Sequence, residues 1–268
     1  MRKYFVFIVA LVLTGCSDQY FEDELLVEKT VITRGVDVET LIEQARWGSG
    51  EAYLKLARCY HDGNGVKRDF VSMLCMVEMA QQYGTVKSFG DYMQTMPPES
   101  EYKLLFDAIS YIYDREYDKA NAIAEHLIEL DCVDGFAVKG ILAMDRKDSI
   151  EVKRCFEQAA EMGSTFGELL LCVKDWKDSL EFDITRLILL SDRIPLANLM
   201  LAAHYADLTN SEKNYDKMAS YFYLRADECG LLGKKNARWL LNYYKNGGIR
   251  TIDDEDYARI KKLAGEDR

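Results

Sequence analysis

Apolar residues recur along most of the chain at the three- and four-residue spacing of amphipathic helices, from Val38 onwards. Residues 48–84 contain two such stripes, which are separated by a glycine-rich turn. The stripes consist of Ala52, Leu56, Ala57 and Tyr60, followed by Met73, Met76 and Ala80. Gly63 and Gly65 supply the positive φ angles that a tight connection needs, and Gly84 ends the second stripe. The pattern predicts two antiparallel helices joined by a short turn.

Weaker stripes of the same kind predict further helices down to the end of the chain. Their members are Tyr117, Ala120, Ala124 and Leu127; Ser149, Val152, Phe156 and Ala159, before Gly163; Ala197, Leu201, Ala202 and Tyr205; Ala219, Phe222 and Ala226, before Gly230; and Leu240 and Tyr244, before Gly247. Residues 85–107 and 176–194 fit no helix pair. Alternation of apolar and polar residues is weak and confined to Leu25–Val36, and proline occupies only three positions. The fold class is therefore predicted to be all-α.

The motif at residues 48–84 resembles the Sel-1-like repeat, a relative of the tetratricopeptide repeat. That repeat follows the pattern A-x-x-x-L-G-x-x-Y-x-x-G-x-G-V, an Asp, then K-A-x-x-W-x-x-x-A-A-x-x-G. The chain matches it at Ala52, Leu56, Tyr60, Gly63, Gly65, Val66, Asp69, Ala80 and Gly84, and departs from it at Ala57, Met73, Met76 and Gln81. The resemblance implies an α-solenoid of antiparallel helix pairs over residues 37–268, with a concave groove that binds peptides.

The last predicted helix runs from Ile252 to Ala264. Thr251 and Asp254 form a variant of the capping box, with Asp where Glu or Gln is usual. One apolar stripe on this helix consists of Tyr257, Ile260, Leu263 and Ala264. We expect the helix to cap the solenoid and to present a polar outer face to solvent.

The first residues have the composition of a secretory signal peptide. Arg2 and Lys3 precede an apolar run from Tyr4 to Leu13, which is shorter than the roughly 20 residues that span a bilayer. The following Leu-Thr-Gly-Cys resembles the lipobox of bacterial lipoproteins. This resemblance implies cleavage after residue 15 and attachment of diacylglycerol to Cys16, often with a further acyl chain such as palmitate on the new amine. Ser17 directly after the cysteine resembles the sorting pattern for the outer membrane.

Residues 16–36 are predicted to form an acidic, flexible tether. Its acidic residues before Lys29 are Asp18, Glu22, Asp23, Glu24 and Glu28. Such a segment is typical of a solvated linker, and it also resembles the surface-export signals of Bacteroidota lipoproteins, whose usual forms are more compact. Periplasmic and surface-facing locations both stay open. A chain of this length reaches about 25 Å, which favours a partner at the same membrane.

The net charge excludes one class of partner and favours another. The chain has 34 Lys and Arg against 45 Asp and Glu, a formal charge of −11, and removal of the signal peptide would take away two cations. A general nucleic-acid binder needs an excess of cations, so we expect no nucleic acid partner. The acidic surface should instead steer a basic protein surface towards the chain.

No catalytic, metal-binding or cofactor-binding motif is present in the sequence. The sequence neighbours of His61 and His204 are typical of structural or surface residues. His126 and Glu129 share a helical face, but one His and one acidic residue without an H-E-x-x-H motif do not predict a metal site. Six cysteines remain beside Cys16, and these are Cys59, Cys75, Cys132, Cys155, Cys172 and Cys229. Disulfides between Cys59 and Cys75 or between Cys155 and Cys172 are one alternative, and buried free thiols are the favoured one.

Two functions are compatible with these features, and neither is enzymatic. The favoured one is a membrane-anchored scaffold at the cell envelope that holds a protein or peptide partner in its groove, an inference from fold analogy. The other is an accessory protein that binds glycan or envelope polymer through exposed aromatic residues. Candidate groove residues for either are Tyr111, Tyr113, Tyr221, Tyr223, Tyr243 and Tyr244.

Overall fold

The computed structural model describes residues 37–175, 181–208, 213–248 and 252–266. The predicted signal peptide, Cys16 and the tether lie outside these described residues. The helices are α1 (Val38–Arg46), α2 (Gly50–Asp62), α3 (Phe70–Gln82), α4 (Phe89–Gln94), α5 (Glu101–Tyr113), α6 (Tyr117–Glu129), α7 (Asp134–Asp145), α8 (Ser149–Glu161), α9 (Thr165–Leu170), α10 (Ile184–Leu190), α11 (Pro195–Asp207), α12 (Lys213–Glu228), α13 (Gly233–Lys245) and α14 (Asp254–Ala264). Two short strands, β1 (Val173–Asp175) and β2 (Glu181–Phe182), pair antiparallel.

Consecutive helices pack against each other in pairs, which confirms the predicted all-α repeat architecture. The closest pairs are α2 with α3, α7 with α8, α11 with α12 and α13 with α14, while α5, α6 and α7 follow one another in the same way. No helix in the described ranges is both long and apolar enough to cross a bilayer. The chain is thus an α-solenoid-like stack of helix pairs, with the strand pair inserted where no helix pair was predicted.

The best-defined predicted pair, α2 and α3, forms for the reasons that the sequence indicated. Ser49 caps α2 by accepting a hydrogen bond from Ala52 N, and Asp69 caps α3 by accepting one from Val71 N. Gly63 and Gly65 have φ angles of 71° and 76° in the turn between them. The predicted turn chemistry is confirmed at both glycines.

Helices α7 and α8 approach closely because a glycine faces an aromatic ring. A Cβ atom built on Gly140 of α7 would lie 2.3 Å from the Phe156 ring of α8, which is fully buried. Gly167 of α9 makes a similar approach, with its Cβ position 2.6 Å from Ala159 Cβ. These glycines are therefore required by packing and not by backbone conformation.

Replacing Gly140 with Ala should lower the free energy of unfolding by about 1–3 kcal/mol, because the new methyl group forces the Phe156 ring to shift. Urea denaturation measures this loss. Gly90→Ala is the matched control: Gly90 also lies within a helix, but its Cβ position meets nothing closer than 3.8 Å. There the greater helix propensity of Ala should leave stability unchanged or slightly increased. Equal losses in the two variants would contradict the packing role of Gly140.

Helix α3 lies at the centre of the molecule. It is buried almost all round, and it contacts α9, α11 and α13 in addition to its neighbours α2 and α4. An open solenoid makes only nearest-neighbour contacts. These additional contacts bring distant helix pairs together on one helix, and most of the buried apolar residues form a single continuous core.

The two ends of the array also meet. Helix α1 packs against α12, and Arg46 and Trp47 at its end contact α14. Helix α14 exposes Asp254, Glu255 and Lys262, as expected of a polar outer face, but its other side packs against more than the preceding helix: Arg259 is 2% exposed and contacts α1 and α12. The capping residue differs too, since Asp253 accepts the hydrogen bond from Asp256 N.

Candidate binding site

One open pocket lies where the two ends of the helical array meet. It has a volume of about 600 Å³ and is formed where α1 ends, α2 begins and the last turn of α14 passes over them. Its lining residues are Thr40, Glu43, Gln44, Trp47, Gly48, Ser49 and Lys262. Most of these side chains are charged or carry amide or hydroxyl groups.

One face of α1 supplies most of the pocket. Thr40, Glu43, Gln44 and Trp47 follow the spacing that places side chains on the same side of a helix. The opposite face carries Leu41 and Ala45, which are buried in the core. The apolar face of α1 therefore fixes the helix on the body and leaves the polar face free to form a site.

Trp47 is the central side chain of the pocket, and it is 37% exposed. Its Nε1 donates a hydrogen bond of 3.0 Å to Glu43 Oε1, and Arg46 donates one of 3.0 Å to Glu43 Oε2. The ammonium group of Lys262 lies over the indole, with Nζ 5.1 Å from the ring centroid. Among the described residues, no carboxylate lies within 4.0 Å of Lys262 Nζ, and the ammonium group rests on the Trp47 ring instead.

The floor of the pocket is held by the packing beneath Gly48. This residue has a φ angle of 83°, and a Cβ atom there would come within 3.0 Å of the Tyr83 ring and 3.3 Å of Leu263. Tyr83 stacks on Tyr53 at 5.6 Å, and the Tyr53 hydroxyl donates a 2.8 Å hydrogen bond to the Gly230 carbonyl. Burial raises the pKa of Tyr83 to about 12, so this hydroxyl stays protonated at neutral pH.

An ion-pair network under the pocket joins α1, α12 and α14, at the two ends of the helical array. Arg259 of α14 donates two hydrogen bonds to the carboxylate of Asp227 on α12, one of them 2.8 Å long, and another to the Arg46 carbonyl at 3.3 Å. Asp256 accepts from both arginines, at 2.7 Å from Arg259 and 3.0 Å from Arg46. Burial lowers the pKa of Arg259, but its bonds to Asp227 and Asp256 outweigh that effect and raise it. The guanidinium is thus permanently charged.

The tyrosines proposed as groove residues are not collected into one surface. Tyr223 and Tyr244 are buried, and Tyr243 stacks on Trp239 with ring centroids 5.7 Å apart. Tyr223 packs on Trp239 of α13, and Tyr244 contacts Ser220 of α12 and Tyr257 of α14, so both are packing residues between helices. Tyr111 is half-buried under Lys119, and Tyr113 and Tyr221 are exposed on separate helices.

The six cysteines in the described part of the chain are free thiols, as the favoured alternative predicted. Cys59, Cys75, Cys132, Cys155 and Cys172 are buried, and Cys229 is partly exposed. Burial raises the pKa of each thiol, to about 12 for Cys132 and about 11 for Cys155 and Cys172. Such thiols are protonated at neutral pH and are poor nucleophiles.

The three histidines occupy structural or surface positions. His61 contacts Ser100 Oγ at 2.9 Å and packs edge-on against Tyr102. His126 lies 3.6 Å from Glu129 on the surface, and burial lowers the pKa of His204. Within the described part of the chain, no three His, Cys, Asp or Glu side chains are placed to hold a metal ion.

Sequence analysis did not identify Trp47 and Lys262 as site residues. They lie near opposite ends of the chain, and only the fold brings them together. The one available signal was the helical spacing of Thr40, Glu43, Gln44 and Trp47 opposite an apolar stripe. In comparisons with protein-family profiles, curated proteins and solved structures, no significant match to the chain was found.

Proposed function

We propose that this protein is a lipid-anchored, non-catalytic scaffold of the cell envelope that binds a protein or peptide partner. The observation that carries the proposal is the pocket around Trp47, an exposed aromatic residue surrounded by charged, amide and hydroxyl side chains. Exposed Trp beside polar groups is typical of protein-binding sites. The pocket lies on α1, the helix that directly follows the proposed tether, so an anchored body would present it near the membrane.

The composition of the pocket favours a peptide over the glycan alternative. Glycan sites that depend on stacking present exposed aromatic rings in rows, whereas this pocket contains one indole whose face is already covered by Lys262. Its other side chains, including Glu43 and Gln44, are suited to the backbone amides and charged side chains of a peptide. Glycan binding remains the alternative function, and the capture experiment below distinguishes it from peptide binding.

The partner is tested by affinity capture from detergent-solubilised envelope, followed by mass spectrometry. We expect Trp47→Ala to lose a protein that the unmodified chain retains, because truncation removes the exposed ring at the centre of the pocket. The control is Tyr113→Ala, which removes another exposed aromatic side chain, on α5, that does not line the pocket. A partner retained equally by both variants would place binding elsewhere, and recovery of polysaccharide alone would favour the glycan alternative.

The anchor is tested separately. Cys16→Ala should abolish lipid attachment and leave the protein unprocessed or released from the membrane, since two acyl chains are what makes anchoring stable. Fractionation of cells into soluble and membrane material measures this, and metabolic labelling with palmitate shows the acyl chain. Cys229→Ala, which changes a partly exposed thiol on the body, should fractionate with the membrane as before. Normal processing and membrane association of Cys16→Ala would rule out the anchor.

A further inference from the structure

The pocket already holds one cation against its aromatic ring. Lys262 projects from the last turn of α14 and places Nζ 5.1 Å from the Trp47 ring centroid. Its side chain is exposed and pairs with no described carboxylate within 4.0 Å. An ammonium held only by an exposed ring is held weakly, with an energy of about 0.5–1 kcal/mol. A competing cation can therefore displace Lys262.

The pocket also contains a carboxylate that Lys262 does not contact and that a different cation could bind. The Glu43 carboxylate lies at the edge of the same indole, where Oε1 accepts from Trp47 Nε1. Its other partner, Arg46, is also paired with Asp227 and Asp256, so Arg46 keeps two carboxylates if Glu43 turns to a new ligand. A planar guanidinium can stack on the indole and bond Glu43 at the same time, which an ammonium on the ring does not do.

Long-range charge favours the same ligand. The chain carries a formal charge of −11, so its field attracts cationic segments and repels acidic ones. At physiological ionic strength this attraction acts over about 8 Å, and short-range contacts in the pocket then decide the affinity.

We propose that the Trp47 pocket binds an arginine side chain of a basic peptide segment, in the position that Lys262 occupies in the free protein. This inference rests on the proposed function and names the chemistry of the partner. Lys262 then acts as an internal competitor: it covers the indole in the free protein and moves aside when the partner's guanidinium stacks on the Trp47 ring and bonds to the Glu43 carboxylate at the ring edge.

The test follows the indole N–H signals of the full-length, lipidated protein in detergent, labelled with ¹⁵N-tryptophan. The chain has three tryptophans, and Trp47→Phe identifies the signal of Trp47. The probe is the peptide acetyl-Gly-Arg-Gly amide. Its citrulline counterpart has nearly the same shape and no charge, so the comparison isolates the cation.

We expect the arginine peptide to shift the Trp47 signal saturably and to leave that of Trp239, which is packed between Tyr223 and Tyr243, unchanged. The citrulline peptide should bind at least about fivefold more weakly. Lys262→Gln should tighten the arginine peptide about two- to fivefold, because the competitor is gone. Lys119→Gln is the matched control, since Lys119 also lies over an aromatic ring, Tyr111 at 5.0 Å, and its loss should leave the affinity unchanged.

Three results would overturn the inference. One is equal binding of the citrulline and arginine peptides, and another is the absence of any shift at Trp47. The third is weaker binding in Lys262→Gln, which would make Lys262 part of the site and not a competitor. If the inference fails while Trp47→Ala still loses its envelope partner, the proposed function stands with a different ligand chemistry.

Discussion

Arg259→Met is expected to lower the free energy of unfolding by about 3–5 kcal/mol, because it leaves the Asp227 carboxylate buried without its main partner. Asp227 is 2% exposed, and Arg259 supplies two of its hydrogen bonds. Arg46, at 3.3 Å, is a more distant and partly exposed partner that cannot replace both bonds. Urea denaturation followed by circular dichroism measures the loss.

Arg225→Met is the matched control for this prediction. Arg225 lies on the same helix as Asp227 and pairs with Asp192 and Glu228, but both of these carboxylates are exposed. Pairs of this kind contribute about 0–1 kcal/mol, so the control should unfold almost as the unmodified protein does. The double variant Asp227→Leu/Arg259→Met should recover much of the stability, since no unpaired charge remains in the core. Similar losses for Arg259→Met and Arg225→Met would show that the buried network does not hold the two ends of the helical array together.

Because the two ends of the array meet beside the pocket, a change in the ion-pair network should alter both the stability of the protein and the geometry of the pocket. Arg46 belongs to the ion-pair network, and the next residue, Trp47, forms the centre of the pocket. Leu263 and Tyr83 pack at Gly48 directly below it. Loss of Arg259 should therefore also loosen the position of Lys262 over the indole, which would appear as a shifted Trp47 indole signal in the folded protein.

The helix pairs could be predicted from the sequence because their signals are local. The stripe of Leu56 and Tyr60, the turn at Gly63 and the end at Gly84 each depend on residues close in the chain. The same holds for most of the stripes on α6 and α8: Ala120, Ala124 and Leu127 are buried, and so are Phe156 and Ala159. Repeat patterning therefore indicated both the class of the fold and most of its helices.

The closure of the array could not be predicted, because it depends on residues far apart in the sequence. Nothing local distinguishes Arg259 from a solvated arginine on a polar helix face, and the partner that buries it, Asp227, lies on another helix. The candidate site was missed for the same reason. Spacing placed Tyr223 and Tyr244 on helices but could not show that neighbouring helices bury both side chains.

A second buried carboxylate makes stability depend on pH. Asp134 begins α7, is 8% exposed, and accepts a hydrogen bond from the Ser164 hydroxyl, which in turn caps α9. Burial is the main cause that raises its pKa, to about 6, and the nearby carboxylates of Asp69 and Glu101 act in the same direction. The hydrogen bond from Ser164 opposes the shift without cancelling it.

The sign of the pH effect follows from this raised pKa. Between about pH 4 and pH 6, Asp134 is ionised in the unfolded chain but still protonated in the folded protein, so folding takes up a proton. Stability contributed by this group is therefore complete at low pH and is lost as the pH rises to about 6, above which it is constant. A shift of about two units corresponds to about 3 kcal/mol.

Asp134→Asn should remove this dependence, because Asn can accept the hydrogen bond from Ser164 and does not ionise. The free energy of unfolding of the variant, minus that of the unmodified protein, should therefore increase by about 3 kcal/mol between pH 4 and pH 7, because only the unmodified protein loses this stability. Urea denaturation at half-unit pH intervals measures the difference. Burial also raises the pKa of Asp69, but this effect is present in both proteins and largely cancels in the comparison. Ser164→Ala gives an independent check: without its hydrogen bond the pKa of Asp134 should rise further, and the pH at which stability levels off should move above 6. Parallel pH profiles for Asp134→Asn and the unmodified protein would contradict the assignment.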